Sequence, residues 1–204
     1  MKRRFMGRAH PRKKAVATEK KGRLKSEHIK REIKEWAQSI IIALILTLII
    51  RTYVVQAFKI PSGSMRPTLI EGDKLFVNKF IYRFKPMERG DIIVFKYPAE
   101  PKKDYIKRLV ASGGEAVEIR DGKILVDGKV LDDPESFGKF TYYNHDPYGG
   151  PGETIKVPAD SFYVLGDNSG NSTDSRFWGF VPKKNIIGKA IFRWWPPGRM
   201  GKIE

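Results

Sequence analysis

The sequence predicts a mostly β domain that follows one N-terminal apolar segment. Short runs rich in β-branched and aromatic residues recur from Lys74 to the C-terminus. Two pairs, Asp121-Gly122 and Asp127-Gly128, separate such runs as two-residue hairpin turns do. No long amphipathic helical pattern follows the apolar segment, which runs without a charged residue from Trp36 to Ile50. These three observations indicate a domain of short strands behind one helix.

The predicted strands lie in a domain of residues 57–204, which is long enough to bury a core of its own. Residues 132–152 are rich in Gly, Pro, Asp and Tyr and predict an inserted loop. In chain order, the strand-like runs are KLFVNKF (Lys74–Phe80), DIIVFKY (Asp91–Tyr97), DYIKRLVA (Asp104–Ala111), EAVEI (Glu115–Ile119), KILV, KVL, ETIKV (Glu153–Val157), SFYVLG (Ser161–Gly166) and NIIGKAIFRWW (Asn185–Trp195).

The net charge of +16 on the 204-residue chain is concentrated at the N-terminus. Residues 1–35 contain 14 Lys and Arg against four Glu, whereas the remaining residues contain 25 Lys and Arg against 19 Asp and Glu. Because the predicted domain is nearly balanced in charge and carries no recognition motif, no nucleic-acid partner is expected. A basic tail ahead of an apolar run instead indicates a membrane topology signal, and residues 25–36 could also form a basic helix along anionic headgroups.

The apolar segment is interpreted as a retained transmembrane signal-anchor helix over residues 36–56. Helix over residues 36–58 would be about 35 Å long, enough for the roughly 30 Å hydrocarbon core, if Arg51 reaches the far interface. The positive-inside rule then places the tail, residues 1–35, in the cytoplasm and the β domain outside it. Two alternatives remain: a buried core helix, and a signal peptide cleaved near Val55-Gln56-Ala57.

The composition restricts the chemistry that the chain can perform. It has no cysteine, which excludes disulfides, thiolate nucleophiles and zinc–thiolate sites. The histidines, His10, His28 and His145, are too few and too scattered for a histidine metal cluster, and no metal is expected. Only His145 is placed to serve as the base of a Ser–His–Asp triad, and it lies in a turn-like setting. The other base open to a serine nucleophile is a lysine that burial keeps neutral.

A serine and a lysine suited to these roles lie in IPSGSMRPTL (Ile60–Leu69) and DYIKRLVA. Two prolines bracket Ser62-Gly63-Ser64, where Gly63 would allow unusual dihedral angles beside backbone N–H groups that could meet an oxyanion. Lys107 shares a strand face with Tyr105 and Leu109, so its amine could be desolvated. Each feature alone is also compatible with an ordinary turn and with a strand lysine that reaches solvent.

Four sequence blocks in a fixed order identify a family. They are PSGSMRPTL (Pro61–Leu69), RGDIIVFKYP (Arg89–Pro98), DYIKRLV (Asp104–Val110) and GDNSGNSTDSRFWG (Gly166–Gly179). With these blocks behind an N-terminal anchor, the sequence resembles the type I signal peptidases (leader peptidases), membrane-bound Ser/Lys proteases of the S26 family. The resemblance covers the anchor and nearly all of residues 57–204. It implies a signal-peptidase-like β-barrel or sheet catalytic domain that needs no cofactor and no metal.

The resemblance also assigns a reaction. It implies removal of N-terminal signal peptides from exported preproteins, with cleavage after small residues at sites of the Ala-x-Ala type. Ser64 matches the nucleophile and Lys107 the general base. Ser62 matches a hydroxyl donor to the oxyanion hole, beside the backbone N–H of Ser64.

The last block matches residues that support the catalytic lysine. By resemblance, Ser172 hydrogen-bonds and orients that lysine, while Asp174 and Arg176 form a structural ion pair that holds the loop near the site. The family usually has Arg-Asp directly after Gly-Asp-Asn, whereas this sequence has Ser169-Gly170. We therefore expect a local charge contact to be missing from this loop.

The resemblance further implies an extended substrate whose side chains enter shallow pockets lined by apolar residues. Ordinary core packing is the alternative interpretation of the apolar members. The residues expected to bind substrate are Phe58, Ile60, Pro61, Met65, Leu69, Val94, Asp104, Tyr105 and Ile106.

The implied partners are signal peptides of secreted preproteins, the lipid bilayer and, transiently, the secretion machinery, at the bacterial cell (inner or plasma) membrane. Aromatic residues late in the chain either sit in the membrane interface or form an apolar core; they are Phe177, Trp178, Phe180, Trp194 and Trp195. The alternative functions are a membrane-tethered polyanion-binding module without catalysis, a self-cleaving Ser/Lys repressor-type protease, and an inactive relative.

Overall fold

The structure, a computed structural model, describes residues 30–48 and 55–203. The chain divides into two units, Met1–Ile50 and Arg51–Glu204. In the first unit, residues 30–48 form helix α1. Among the described residues, no helix combines the length and the hydropathy needed to span a membrane. The predicted anchor, residues 36–56, continues through residues 49–54, which lie outside the described part of the chain. Its last two residues, Val55 and Gln56, are in a strand and not in a helix, because they pair with Asn78 and Val77 of the β domain.

The second unit is built of short strands, which confirms the mostly β prediction. Its helix α2, Ser175–Trp178, is a single turn. The strands are β1 (Val55–Lys59), β2 (Lys74–Asn78), β3 (Ile92–Lys96), β4 (Asp104–Ser112), β5 (Ala116–Arg120), β6 (Lys123–Val126), β7 (Lys129–Val130), β8 (Thr154–Lys156), β9 (Ser161–Leu165), β10 (Val181–Pro182), β11 (Ile186–Trp195) and β12 (Gly201–Lys202). Turns of 3₁₀ helix cover Gly63–Met65, Ile81–Arg83, Ser169–Asn171, Lys183–Asn185 and Pro197–Arg199.

These strands form two antiparallel sheets. The larger sheet has the order β1-β2-β11-β3-β4-β9-β10, and β12 also pairs with β11. Within the described residues this sheet is open, with β1 and β10 at its ends. The smaller sheet has the order β7-β6-β5-β8.

The two Asp-Gly pairs form the hairpin turns that the sequence predicts. Asp121 and Gly122 have φ of 50° and 75° and join β5 to β6. Asp127 and Gly128 have φ of 49° and 75° and join β6 to β7. Positive φ at both central positions is the geometry that matches the twist of the flanking strands, which confirms this prediction.

The run of apolar residues in β3 reflects burial on both faces of the larger sheet. Ile93 and Phe95 pack with Leu109 on one face, whereas Ile92 and Val94 pack in a second core on the other face. This second core, defined here as core A, also contains residues from both sides of the predicted nucleophile. Its buried members are Ile60, Met65, Leu69, Leu75, Val77, Ile92, Val94, Ala190 and Ile203.

A third core lies where residues of β4 and β9 meet those of the smaller sheet. It includes Val110 and Tyr163 together with Val117 and Ile124. The predicted inserted loop, residues 132–152, contains neither helix nor strand, yet it contributes the buried Phe137 and Tyr142 to this core. The segment is therefore packed into the domain through two aromatic side chains.

The aromatic residues late in the chain do not form one cluster. Trp178 packs against the core of β3 and β4, whereas Phe180 packs against the core between the sheets. Trp194 stacks on Phe76 with ring centroids 5.8 Å apart. Phe177 lies against the ring of His145 in a tilted arrangement. Core packing thus accounts for Trp178 and Phe180.

Candidate active site

A cavity of about 380 Å³ lies between the turn that follows β1 and the first half of β4. It joins two segments that are far apart in the sequence and that both carry predicted site residues. The lining residues are Pro61, Ser62, Gly63, Ser64, Asp104, Tyr105, Ile106, Lys107, Asn171 and Thr173.

Ser64 lies in the 3₁₀ turn Gly63–Met65, and only 6% of it is exposed. The Asn168 backbone N–H donates to the Ser64 carbonyl at 3.0 Å, and Asn168 Nδ2 donates to the Gly63 carbonyl at 3.0 Å. These bonds hold the backbone of the turn in place. Gly63 does not use the dihedral freedom that a glycine allows, because it lies in a 3₁₀ turn and is not among the positive-φ glycines.

Lys107 meets Ser64 directly. Its Nζ lies 2.6 Å from Ser64 Oγ, and only 3% of the residue is exposed. Lys107 lies in β4, where its backbone is paired with that of Ile93 in the neighbouring strand β3. Its Nζ also lies 5.6 Å from the centre of the Tyr105 ring. A serine hydroxyl is therefore within hydrogen-bonding distance of a buried amine.

Burial lowers the pKa of Lys107 from 10.5 to about 8. The carboxylates of Asp174 and Asp167 oppose this change and raise the pKa, because negative charge favours the ammonium form. The Arg176 guanidinium lowers the pKa further. A substantial fraction of the amine is consequently neutral in mildly alkaline solution and able to accept a proton.

The loop after β9 supports the site through a buried ion pair between Asp174 and Arg176. Arg176 Nε and Nη2 each donate to the Asp174 carboxylate at 2.8 Å. Asp174 also accepts the backbone N–H of Gly166 at 3.0 Å. Ser172 is buried beside them, and its Oγ has no hydrogen-bond partner among the described residues. The role of Ser172 in orienting Lys107 stays a prediction.

Gly166 leaves no room for a side chain. A Cβ at this position would lie 2.2 Å from Ser172 Oγ and 2.5 Å from the Ser64 carbonyl oxygen. We expect Gly166→Ala to lower the free energy of unfolding by about 1–3 kcal/mol through overpacking, and to reduce activity by displacing Ser64. Thermal unfolding measures the first effect. Gly198→Ala is the matched control, because no atom lies within 4 Å of the Cβ that it would add; equal stability of the two variants would contradict the steric argument.

A second buried ion pair, between Arg108 and Asp167, was not predicted from the sequence. Arg108 Nε and Nη2 donate to the two carboxylate oxygens of Asp167 at 2.8 Å each, and both side chains are fully buried. Thr68 Oγ1 donates to the same carboxylate at 2.6 Å. Both charged residues lie inside the quoted blocks. An available signal was strand alternation, which places Arg108 on the opposite face of β4 from Lys107.

The predicted substrate-binding residues fall into two groups. Pro61, Asp104, Tyr105 and Ile106 line the cavity, as does the exposed Ser62. The other members lie in or against core A; they are Phe58, Ile60, Met65, Leu69 and Val94. Their contact with substrate stays a prediction. Asn171 and Thr173, which line the cavity from the loop after β9, were not predicted from the sequence.

The alternative base, His145, is exposed and is not part of the cavity lining. Its ring lies against the Phe177 ring, with centroids 3.7 Å apart and planes tilted by 33°. Within the described residues, the lysine rather than this histidine is the base that lies against Ser64.

Known proteins similar to this chain include several described as signal peptidase I. The sequence model of the family described as "Signal peptidase, peptidase S26" matches residues 33–195. A signal peptidase I of Leptolyngbya laminosa is 44% identical over 179 residues, covering 84% of each chain. A signal peptidase I of Pseudomonas aeruginosa is 33% identical and covers 83% of this chain and 75% of that protein. A solved signal peptidase I from Enterococcus faecalis V583 is 31% identical with a TM-score of 0.42, covering 52% of this chain and 97% of that one.

Proposed function

The chain belongs to the signal peptidase family, peptidase S26, and on that premise we propose that it removes N-terminal signal peptides from exported preproteins with a Ser64/Lys107 dyad. The observation that carries this proposal is the 2.6 Å distance between Ser64 Oγ and the buried Lys107 Nζ. Burial of that amine supplies the neutral base that an unaided serine lacks. The open cavity beside the pair supplies a place for a peptide.

The first half of the reaction forms an acyl-enzyme. Neutral Lys107 Nζ accepts the hydroxyl proton of Ser64 while Oγ attacks the scissile carbonyl carbon. The Ser62 hydroxyl and the Ser64 N–H donate to the resulting oxyanion, and one such donor is typically worth about 2.7–4 kcal/mol of barrier. The carbon–nitrogen bond then breaks, and the Lys107 ammonium gives its proton to the departing amine.

The second half releases the signal peptide. A water molecule gives a proton to Lys107 Nζ and attacks the ester carbonyl carbon. The bond to Ser64 Oγ then breaks, and Oγ takes the proton back from Lys107. The lysine is neutral at the start and at the end of the cycle, so each turnover begins with the same proton arrangement.

The open edge of β4 supports binding of an extended substrate. On one side β4 pairs with β3 from Asp104 to Arg108, whereas on the other side it pairs with β9 only from Arg108 onward. A peptide strand added along Asp104–Lys107 would form hydrogen bonds with the backbone groups of this edge and would run past Ser64. Side chains at the first and third positions before the cut would then point the same way, which suits Ala-x-Ala sites beside a small cavity.

The loop after β9 supports the dyad in this proposal. Ser172 would turn its unpartnered, buried hydroxyl toward the Lys107 amine and orient it. Asp174 and Arg176 would act as structural supports, because their ion pair is buried and bonded to the backbone of Gly166, which lies against Ser64.

An N-terminal membrane anchor completes the proposal. The anchor predicted over residues 36–56 would span the bacterial cell membrane once and end before Val55 and Gln56, which belong to β1. Residues 1–35 would lie in the cytoplasm and the β domain, predicted over residues 57–204, outside, near the secretion machinery. The large apolar side chains of α1 support this placement, since Ile40, Ile42 and Leu44 are each more than half exposed. Such a surface is favoured in lipid and unfavourable in water. The anchor would keep the β domain attached to the membrane that exported preproteins cross.

Ser64→Ala tests the proposed function. The full-length protein in detergent should cut a preprotein with an Ala-x-Ala site directly after the last alanine, and the variant should be slower by about 10³-fold or more. Mass spectrometry of the products locates the cut. Ser112→Ala, at the far end of β4, is the matched control and should keep activity.

Retention of cleavage in Ser64→Ala would contradict the assigned nucleophile. A folded parent that cuts no precursor but binds heparin in a salt-sensitive way would instead support a polyanion-binding module.

A further inference from the structure

By the resemblance described above, Ser169 stands where the family usually has an arginine. Its side chain accepts two hydrogen bonds. The residue is 7% exposed and begins the 3₁₀ turn Ser169–Asn171. Its Oγ accepts the Tyr143 backbone N–H at 2.9 Å and Arg176 Nη1 at 2.7 Å. Its carbonyl accepts Arg176 Nη2 at 2.8 Å. One small residue thus joins the segment 132–152 to the ion pair beside the dyad.

The Arg176 guanidinium is the second centre of this hydrogen-bond network. Its Nη1 also donates to the Tyr143 carbonyl at 2.7 Å, so both polar groups of the Tyr143 backbone are bound. The remaining donors go to Asp174 and to the Ser172 carbonyl. All five N–H donors of the guanidinium therefore have acceptors, which orders the group in one orientation.

Continuous contacts lead from this network to the nucleophile. Arg176 holds Asp174, and Asp174 accepts the N–H of Gly166. Gly166 lies against both the Ser64 carbonyl and Ser172 Oγ, closer than a Cβ would permit. A displacement of Arg176 is consequently transmitted to the atoms that fix Ser64.

The contacts with Tyr143 involve its backbone and not its ring. The residue is 59% exposed, and its ring lies over Gly170, where an added Cβ would be 3.6 Å away. Removal of the ring would leave both backbone bonds intact. The hydroxyl oxygen of Ser169, in contrast, accepts hydrogen bonds from both the Tyr143 backbone N–H and Arg176 Nη1.

Resting on the proposed function, we propose that Ser169 is a positioning residue that docks segment 132–152 onto Arg176 and thereby holds Ser64 and Lys107 in reacting geometry. It does this with a neutral hydroxyl at a position where the usual pattern uses a charged side chain. The residue touches neither the substrate nor the reacting atoms. Its effect should therefore appear in kcat and leave KM unchanged.

Ser169→Ala tests this inference in the full-length protein with an Ala-x-Ala peptide substrate. We expect kcat to fall about tenfold with KM unchanged, because small displacements of catalytic groups lower the rate strongly. Ser169→Thr keeps the hydroxyl and should restore kcat. Tyr143→Ala keeps both backbone bonds and should have the kcat of the parent. Thermal unfolding of each variant shows that it is folded.

Limited proteolysis gives a second readout that needs no catalysis. Lys139 is exposed within the docked segment, so trypsin should cut after it faster in Ser169→Ala than in the parent and in Tyr143→Ala. Unchanged kcat in Ser169→Ala, or equal losses in the Ala and Thr variants, would overturn the inference. A parent without peptidase activity would overturn the proposed function alone, and the trypsin comparison would then decide whether the docking is correct.

Discussion

Replacement of Lys107 by methionine should lower kcat for cleavage of an Ala-x-Ala precursor by about 10³-fold, because a thioether cannot accept the Ser64 proton. In the parent, kcat should rise with pH through about 8, the value to which burial lowers the pKa of Lys107. Initial rates over roughly pH 6 to 10 measure both effects. Lys103→Met, an exposed lysine on the turn before β4, is the matched control and should retain the parent's profile.

Stability measurements separate this loss from misfolding. The pKa of Lys107 is about 8 in the folded protein and near the ordinary 10.5 in the unfolded chain. Between these values the unfolded chain binds more protons, so the parent's free energy of unfolding should rise with pH across that window. Below about pH 8 the folded protein carries the full free-energy penalty of burying the Lys107 ammonium.

Lys107→Met lacks this penalty and should be more stable than the parent at pH 7, by a margin that shrinks toward pH 10.5. A variant that is more stable but inactive owes its inactivity to the missing base. Cleavage by Lys107→Met at the parent's rate would contradict the dyad and make His145 the next candidate base.

Asp167→Asn should lower the free energy of unfolding by about 3–5 kcal/mol, because it leaves the buried Arg108 guanidinium without a carboxylate. Urea denaturation measures this loss. The Asp167 carboxylate raises the pKa of Lys107, so its removal should also lower that pKa and move the acidic limb of the activity profile to lower pH.

Two comparisons test the cause of this loss. Glu71→Gln makes the same chemical change in the exposed pair with Arg66 and should leave stability nearly unchanged. The double variant Arg108→Met with Asp167→Leu removes both charges and should regain much of the loss. Asp167→Asn within about 1 kcal/mol of the parent would contradict a buried, charge-dependent pair.

Local sequence patterns predicted the strands and hairpins well, because they depend on neighbouring residues. The pair Asp121-Gly122 predicts its own turn, since both residues tolerate positive φ. The apolar run of β3 was also predicted as a strand, and its burial on both faces is seen in the structure. The pattern at Gly63 was less informative, because glycine allows unusual dihedral angles whereas the residue lies in an ordinary 3₁₀ turn. For residues 132–152 the sequence predicted a loop but gave no local sign that Phe137 and Tyr142 are buried.

Some residues of the candidate site were likewise predicted from the sequence, whereas others were found only in the structure. The order of the four sequence blocks and the residue types within them identified Ser64 and Lys107 as nucleophile and base from the sequence alone. Strand alternation separates Arg108 from Lys107, but it does not identify Asp167 as its buried partner, since Asp167 lies in the loop after β9. The role of Ser169 was equally hidden: the sequence indicated only that a charged pair was missing, not that a hydroxyl bridges Tyr143 and Arg176.

The sequence by itself determined nine of the twelve described strands, the two Asp-Gly turns, the family and the chemical types of nucleophile and base; β1, β10 and β12 were not predicted. These properties follow from residue type and short-range spacing. Only the tertiary structure decided that Lys107 is buried, that its amine meets Ser64, and which charges surround it. Burial and charge pairing arise from contacts between segments far apart in the chain, and it is the desolvation produced by those contacts that turns an ordinary strand lysine into a candidate base.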